Sequence, residues 1–259
     1  MNIFSHICIE LNGTVMKANL RIVVLAVAVA AACTDAFAQF GVNIGYMNST
    51  TYSRVEGTEG SEKAGTNGFA AGIDHNIRLI GNLLSIQPGI YYQHLLRSED
   101  IAEIAGLAAN TTYMENFLAI PVHVKVGFNL LPKDVLRLYV FAGPTFEIGL
   151  SSSDKISVSG SLLGHDIAGE VSYNYYSGKI KTSSDELQSV VDSYFQSEDK
   201  GQLKRFDVMI GGGVGLQVVR FLDIKVGYDY GMVNRYAGDL AEHASANRGQ
   251  FYVGVGIRL

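Results

Sequence analysis

Histidine is the side chain that most often performs acid–base chemistry and binds metals in proteins. From residue 39 onward the histidines are His75, His94, His123, His165 and His243. No two of them have the spacing of a metal-binding motif, and no serine stands in a recognisable nucleophile motif. The run Gly211-Gly212-Gly213 lacks the Lys-Ser/Thr of a phosphate-binding loop, and we interpret it as close packing or bending within a strand. The sequence therefore predicts no catalytic residue, no cofactor and no metal site.

The remaining candidates for chemistry are polar and charged side chains that lie at alternate positions within apolar segments. They are Asp74, Arg78, His123, Lys125, Arg137, Glu147, Asp207, Asp223, Lys225, Asp229 and Arg258. Successive side chains of a β-strand point to opposite faces, so alternate positions share one face. The spacing therefore predicts that these groups gather on one face of a sheet, with apolar residues on the other.

Eight segments alternate apolar with polar or small residues and predict eight β-strands. The segments are residues 40–49, 68–79, 84–97, 113–129, 135–150, 204–219, 221–232 and 249–259. Within residues 113–129, for example, Leu118 and Ile120 alternate with Ala119 and Pro121. Several of these segments reach the roughly 9–11 residues that a tilted strand needs to cross a membrane.

The connections between the segments fall into two length classes. Those after the second, fourth and sixth segments are short, whereas residues 50–67, 98–112, 151–203 and 233–248 form long ones. Short periplasmic turns that alternate with long external loops are typical of outer-membrane barrels. A soluble β-sandwich has no reason to separate loop lengths in this way. The pattern predicts an all-β, eight-stranded antiparallel up-and-down transmembrane β-barrel with both termini periplasmic.

Composition agrees with a barrel that faces lipid. Hydrophobic residues make up 47% of the chain, which also has 29 Gly and 14 Tyr. After the predicted leader, no run of 18 or so apolar residues predicts a transmembrane helix. A net charge of −5, spread along the chain, gives no sign of nucleic-acid binding.

The chemistry of the two faces predicts which one points outward. The apolar face is nearly free of charge, and a charge at the bilayer midplane would cost several kcal/mol. The charged face must therefore be the interior, the reverse of a soluble barrel of lipocalin type. His75 and His94 fall on the apolar phase. We expect His94 near the outer interface and interpret His75 as the mark of a register shift.

The segment 1–38 is predicted to be a secretory leader, with Met16 as the true start of translation. A short positive region precedes an apolar stretch at 22–32, and an A-x-A cleavage site follows at 36–38. The apolar stretch is too short to span a bilayer as a helix. Residues 39–259 are predicted to form a single barrel domain. Both cysteines of the chain lie within the leader, so this domain is expected to have neither a disulfide nor a thiolate metal site.

The interior of an eight-stranded barrel is just wide enough to be filled by side chains. A buried charge needs a partner, so we expect the charged groups to pair and to plug the lumen. A selective ion path is the alternative hypothesis. A steady, large unitary current in planar bilayers would support that alternative.

The longest connection, residues 151–203, has patterns of its own. Alternation in 155–163 and 169–176 predicts a hairpin that extends the fifth and sixth strands. A capping box at 183–186 then precedes a helical face formed by Leu187, Val190, Val191, Tyr194 and Phe195. We expect this helix to cap the barrel mouth or, alternatively, to dock an external partner. A second helical pattern, expected beside it, comprises Ile101, Ile104, Leu107 and Ala108.

Short motifs recur along the predicted strands, at residues 40–46, 118–125, 138–144, 210–215, 226–231 and 253–257. Together with the leader ending Ala-Phe-Ala-Gln, they resemble the small outer-membrane β-barrel proteins of the Bacteroidetes group, the PorT-like family. The resemblance implies a barrel that the assembly machinery inserts. Such barrels usually end on an aromatic residue, whereas the last residue here is Leu259. The family name comes from a member implicated in secretion.

We therefore expect an integral, multi-pass outer-membrane protein of a Gram-negative bacterium, acting as a non-enzymatic scaffold or interaction module that is accessory to secretion or transport. The expected partners are outer-membrane lipid, the barrel assembly machinery during insertion and a protein at the external loops. A small channel or a carrier of apolar ligands is the first alternative, which currents or co-purifying lipid would favour. A lipid-modifying enzyme with its site at the rim is the second, and unchanged lipid A in a deletion strain would exclude it.

Overall fold

The computed structural model describes residues 40–57, 60–104, 107–131, 135–162, 165–183 and 201–259. These residues form almost entirely antiparallel β-structure. The leader predicted for residues 1–38 and the helix predicted for Leu187, Val190, Val191, Tyr194 and Phe195 lie outside the described residues. Among the residues that are described, no helix is long and apolar enough to cross a membrane.

The strands are numbered in chain order. They are β1 (Phe40–Val55), β2 (Glu62–His75), β3 (Ile77–Ile80), β4 (Leu84–Ile104), β5 (Leu107–Asn129), β6 (Leu136–Leu162), β7 (His165–Asn174), β8 (Lys179–Thr182), β9 (Phe206–Val218), β10 (Leu222–Gly231) and β11 (Ala244–Arg258). One short helix, α1 (Leu240–His243), precedes β11.

Eight strands close into a barrel. The ring runs β1, β2, β4, β5, β6, β9, β10 and β11, and β11 pairs with β1 again. Every pairing is antiparallel, and β3 continues β2 along β4. Closure gives each strand two neighbours, so the ring has no unpaired edge to expose in lipid. The predicted eight-stranded up-and-down barrel is confirmed.

The two ends of the barrel differ. At one end, here called the turn end, tight connections join β3 to β4, β5 to β6 and β9 to β10. At the opposite end, here called the loop end, strands continue well past the predicted bounds. The pair β4–β5, for example, extends as far as Ile104↔Leu107. The ladder is therefore longer than a membrane crossing requires.

The extension of β4 and β5 corrects one expectation. The helical pattern of Ile101, Ile104, Leu107 and Ala108 was expected to form a second short helix, but these residues belong to the two paired strands. A single helical turn is costly to nucleate. Continuing an existing ladder satisfies the same backbone groups at once, so the strand conformation is favoured.

The hairpin predicted between residues 155 and 176 is confirmed. Strands β6 and β7 pair from Ser153↔Asn174 to Leu162↔His165. The hairpin extends only the fifth barrel strand, however, because β9 stops pairing with β6 at Ile148↔Phe206. Strand β7 then takes the place of β9 beside β6, and β8 adds to β7.

Side chains alternate between an apolar exterior and a polar interior. On β1, Val42 and Ile44 are 53% and 63% exposed, whereas Asn43 between them is 4% exposed. Strand β6 keeps a single phase, with Tyr139 and Phe141 buried inside. An apolar outer wall around a polar core is stable only when lipid surrounds the wall. The orientation predicted from the sequence is confirmed.

Polar-tipped aromatic side chains, here called the aromatic belt, lie on the outer wall towards the loop end. Tyr46 donates its hydroxyl to Asn67 Oδ1 at 2.6 Å. Tyr92 donates to Asn116 Oδ1 at 2.6 Å, and His94 Nδ1 lies 2.8 Å from the same oxygen. Such residues are enriched where hydrocarbon meets water. This belt marks the boundary of the apolar zone, and His94 lies within it.

His75 does not mark a register shift. The pairing of the chain with β4 runs in one register from Asp74↔Gly89 to Ile77↔Ile86. The irregularity lies further on, between Arg78 and Ile80. The His75 ring instead packs 4.6 Å from the ring of Phe40, so its apolar position is used for packing near the turn end.

Candidate functional site

The lumen near the turn end holds five buried or half-buried charged groups, here called the turn-end cluster. Arg258 lies at its centre and donates Nη1 to Asp74 Oδ1 and Nη2 to Asp223 Oδ2, each at 2.5 Å. Lys225 Nζ lies 3.8 Å from Asp74 Oδ2, and Lys125 Nζ lies 4.0 Å from Asp223 Oδ2. Strands β2, β5, β10 and β11 thus contribute to one charge network.

Two tyrosine rings hold this cluster in place. Tyr91 donates its hydroxyl to Asp74 Oδ2 at 2.8 Å. Tyr139 donates to Asp223 Oδ1, and Lys125 Nζ lies 3.7 Å from the centroid of its ring. A cation over a desolvated aromatic face is stabilised by about 2 kcal/mol. The network therefore satisfies charges that water cannot reach.

The glycines of β9 make room for two aromatic rings of β6, those of Tyr139 and Phe141. A Cβ on Gly213 would lie 2.8 Å from Phe141 Cζ, and one on Gly215 would collide with the ring of Tyr139. The run that resembles a phosphate loop is therefore a flat stretch of barrel wall against which rings pack.

A second network, here called the loop-end cluster, closes the other half of the lumen. Arg235 donates to Glu115, and Arg248 donates to Glu147. Gln250 Nε2 donates to the other oxygen of Glu147 at 3.1 Å. All five side chains are buried. Each guanidinium therefore has a carboxylate partner inside the barrel.

An apolar layer packs against the loop-end cluster. Met47, Leu95 and Phe117 form a buried contact group. The guanidinium of Arg248 lies 4.0 Å from the Phe117 ring centroid, and that of Arg235 lies 5.6 Å from it. The ion pairs and the apolar side chains thus fill the cross-section together.

A small cavity remains in the middle of the barrel. Its volume is about 60 Å³, and its lining includes Asn43, Gln93, His123, Asp229 and Gln250. Within the described part of the chain, Gln93 Oε1, Asp229 Oδ1 and Gln250 Oε1 are buried without a hydrogen-bond partner. A cavity of this size, with these unpartnered polar atoms at its lining, has room for a few water molecules. It is far below the roughly 300 Å³ of a typical ligand pocket.

The structure places ten of the eleven predicted lumen residues on the inner face. Buried are Asp74, His123, Lys125, Arg137, Glu147, Asp207, Asp223, Asp229 and Arg258, and Lys225 is half-buried. Arg78 is exposed and lies outside both clusters. It shares the inward phase of Asp74, but the strand irregularity begins directly after it at the turn end.

Several members of the loop-end cluster were missed in the sequence. Glu115 has the same strand phase as Lys125, so alternation alone could have identified it. Arg248 lies one residue before the predicted start of the last strand. Arg235 falls in a predicted loop, and no local pattern points to its pairing with Glu115, which is 120 residues away.

Beyond the loop-end cluster the lumen widens into a cavity of about 210 Å³, here called the vestibule. Its lining includes Thr51, Thr66, Arg97, Tyr113, Tyr175 and Tyr236, and Arg235 also contributes. The pairing of β2 with β4 ends at Asn67↔Leu96, so the two strands diverge beside Thr66 and Arg97. The vestibule therefore lies just beyond the aromatic belt.

Aromatic side chains organise the vestibule. The guanidinium of Arg97 lies 5.6 Å from the centroid of Tyr113, whose ring is 5.9 Å from that of Tyr175. Tyr175 donates its hydroxyl to Asp154 Oδ2 at 2.5 Å. Burial and this neighbouring carboxylate raise the pKa of Tyr175. The hydroxyl is therefore a protonated donor at neutral pH.

The histidines are scattered. His123 is buried, with its ring 5.0 Å from that of Phe141. His243 is exposed at the loop end, where its Nδ1 lies 3.9 Å from Glu56 Oε2. In the ranges that the structure describes, no three His, Cys, Asp or Glu side chains are placed to hold a metal ion.

Several solved structures are similar to the barrel. Ail, the attachment invasion locus protein of Yersinia pestis, is 14% identical over 86% of this chain and 99% of that chain, with a TM-score of 0.35. Neisserial surface protein A is 14% identical over 85% and 97%, with a TM-score of 0.37. CarO of Acinetobacter baumannii is 8% identical over 83% and 97%, with a TM-score of 0.34. No curated protein matches the chain significantly in sequence.

The sequence also matches a family model described as an outer membrane protein beta-barrel domain. The match covers residues 35–235, which is more than half of the 259-residue chain. The matched part contains seven of the eight ring strands, and β11 closes the ring beyond it. The chain belongs to the outer-membrane β-barrel domain family.

Proposed function

We propose that this protein is a non-enzymatic scaffold or interaction module, in which a plugged barrel anchors a binding surface at the loop end. The observation that carries the proposal is the pair of buried charge networks. Arg258 bridges Asp74 and Asp223 in one, and Arg248 binds Glu147 in the other. Removing one partner of a buried ion pair destabilises the fold by about 3–5 kcal/mol, because the other charge is left buried without compensation. A solute would have to disrupt both networks to pass.

The proposed orientation places the loop end outside the cell and both ends of the barrel domain in the periplasm. Tight connections at one end and extended strands at the other support it, because outer-membrane barrels have short periplasmic turns. Export through a leader at residues 1–38 and insertion by the barrel assembly machinery complete this proposal. Outer-membrane lipid would then contact the exposed apolar wall.

A narrower relationship to the PorT-like group, and with it an accessory role in secretion or transport, belongs to the same proposal. It rests on the short strand motifs, of which the run at 210–215 has a packing role in the wall. The walls of the vestibule, rather than the lumen, are then the surface that a partner would recognise.

Planar-bilayer recording tests whether the lumen is closed. The purified, refolded protein is expected to give no steady, large unitary current. A variant in which Arg248 and Arg258 are both replaced by Ser should conduct, provided that it retains heat-modifiable gel mobility. A steady current from the unaltered protein would contradict the closed lumen and would favour the channel hypothesis.

Crosslinking in intact cells tests the interaction surface. A photoreactive amino acid at exposed Lys155 or Lys181, both on the loop-end strands, is expected to capture a defined partner. The matched control carries the same group at exposed Arg220 in a turn-end connection. Equal capture at both ends, or none at the loop end, would contradict an interaction module at the cell surface.

A further inference from the structure

We propose that the vestibule binds an acidic sugar group, meaning a saccharide unit that carries a phosphate or a carboxylate. This inference rests on the proposed function, because it assigns a ligand class to the loop-end binding surface. It is supported by the charge of the lining, its aromatic rings, the cavity volume and the position of the cavity relative to the aromatic belt.

The charge of the lining favours an anion. Arg97 and Arg235 contribute to it, and among the described lining residues there is no Asp or Glu. Arg235 already has a buried partner in Glu115. The partner of Arg97 is Glu99, whose side chain is 60% exposed, at 3.3 Å. A solvent-exposed ion pair contributes little to stability. Arg97 can therefore exchange Glu99 for a ligand anion.

The geometry of the guanidinium group restricts the chemical class of that anion. A planar guanidinium binds carboxylate or phosphate oxygens through two parallel hydrogen bonds. The side chain of Arg97 is only 30% exposed, and its guanidinium lies over Tyr113. Its orientation is therefore restricted before the ligand arrives, which lowers the entropy lost on binding.

The remaining lining is suited to a sugar ring. Tyr113, Tyr175 and Tyr236 contribute flat, amphipathic faces, and Thr51 and Thr66 contribute hydroxyl groups. Tyrosine combines an apolar ring with a polar tip, as a sugar combines C–H faces with hydroxyl edges. A peptide would need a longer groove than a cavity of about 210 Å³ provides, because pockets for drug-sized ligands start near 300 Å³.

The position of the vestibule indicates where such a sugar would come from. Thr66 and Arg97 each lie one residue beyond the last β2–β4 pair, Asn67↔Leu96. Asn67 itself accepts the belt hydrogen bond from Tyr46. The cavity thus begins at the level where lipid headgroups meet water. An acidic sugar of an outer-leaflet lipid would reach it from the side, and a soluble acidic glycan would reach it from above.

Isothermal titration of the full barrel in detergent micelles tests the proposal with glucose 1-phosphate, glucose and inorganic phosphate as probes. Glucose 1-phosphate should bind at least tenfold more tightly than either of the other two. Arg97→Gln should weaken its binding at least tenfold. Arg54→Gln, which alters an exposed arginine on the outer side of β1, should leave it unchanged.

A second variant keeps the proposal testable if Arg97→Gln does not fold. Tyr175→Leu removes one ring of the lining and should weaken glucose 1-phosphate at least threefold. Absence of binding in the unaltered protein, wild-type affinity in both vestibule variants, or equal affinity for phosphate and glucose 1-phosphate would overturn the proposal.

Nanodiscs distinguish the two sources of the sugar. If lipopolysaccharide in the nanodisc competes with glucose 1-phosphate in the unaltered protein but not in Arg97→Gln, the ligand is a lipid sugar. If it does not compete while glucose 1-phosphate still binds, the ligand is a soluble glycan. Loss of sugar binding with a non-conducting barrel would refute only this inference, whereas a conducting barrel would refute the proposed function.

Discussion

Arg248 on β11 and Glu147 on β6 form an ion pair across the lumen, between strands that are not neighbours in the sheet. Both side chains are 1% exposed. The pair therefore ties opposite parts of the wall together and occupies space that a channel would need. The turn-end cluster around Arg258 does the same at the other end.

Replacement of Arg258 tests the turn-end cluster. Arg258→Gln leaves Asp74 and Asp223 buried without their shared partner, so the free energy of unfolding should fall by about 3–5 kcal/mol. Arg78→Gln is the matched control, because Arg78 is exposed near the same end. Its effect should stay within about 0.5 kcal/mol. Urea unfolding in detergent, monitored by gel mobility, measures the change in free energy of unfolding for both variants. Similar changes in the two variants would contradict a stabilising role for the turn-end cluster.

Replacement of a wall glycine tests the packing of the rings. Gly215→Ala places a methyl group in the ring of Tyr139 and should destabilise the barrel by about 1–3 kcal/mol. Gly65→Ala serves as the control, because a Cβ there meets no atom within 4 Å. Equal unfolding midpoints for the two variants would show that β9 is not packed as described.

The turn between β9 and β10 offers a stabilising change. Val219 and Arg220 have φ values of 52° and 61°, a conformation that favours Asn and Gly and disfavours a β-branched residue. Replacing the pair with Asn-Gly should raise the free energy of unfolding by about 1 kcal/mol. A lower unfolding midpoint would indicate a different turn.

The raised pKa of Tyr175 predicts a stability change in alkali. The hydroxyl is stabilised in its protonated form by burial and by Asp154. Its contribution to stability should be complete below the ordinary tyrosine pKa of about 10 and should decline as pH rises above that value. Unfolding midpoints between pH 8 and 11 should fall more steeply for the unaltered protein than for Tyr175→Phe. Parallel curves would contradict this assignment.

Local patterns in the sequence were sufficient to predict the barrel. They were not sufficient to predict the extension of β4 and β5 at the loop end or the partner of each ion pair. Alternation of Val42, Asn43 and Ile44 has a period of two and directly reports the two faces of a strand. The extension of β4 and β5 beyond the belt was missed because their pairing, as in Ile104↔Leu107, depends on neighbouring strands. The partner of Arg235 was missed for the same reason, since it lies far away in sequence.

Site-directed spin labelling tests the central claim, that the apolar face contacts lipid and the polar face is enclosed. The chain has no cysteine from residue 39 onward, so single cysteines can be placed at 42, 43, 44, 45 and 46 in a protein expressed from residue 39. In lipid bilayers, collisions with oxygen should be frequent at the even positions and rare at the odd ones, with little access to an aqueous nickel reagent at Ile44. Uniform access along β1, or high nickel access at Ile44, would contradict the account.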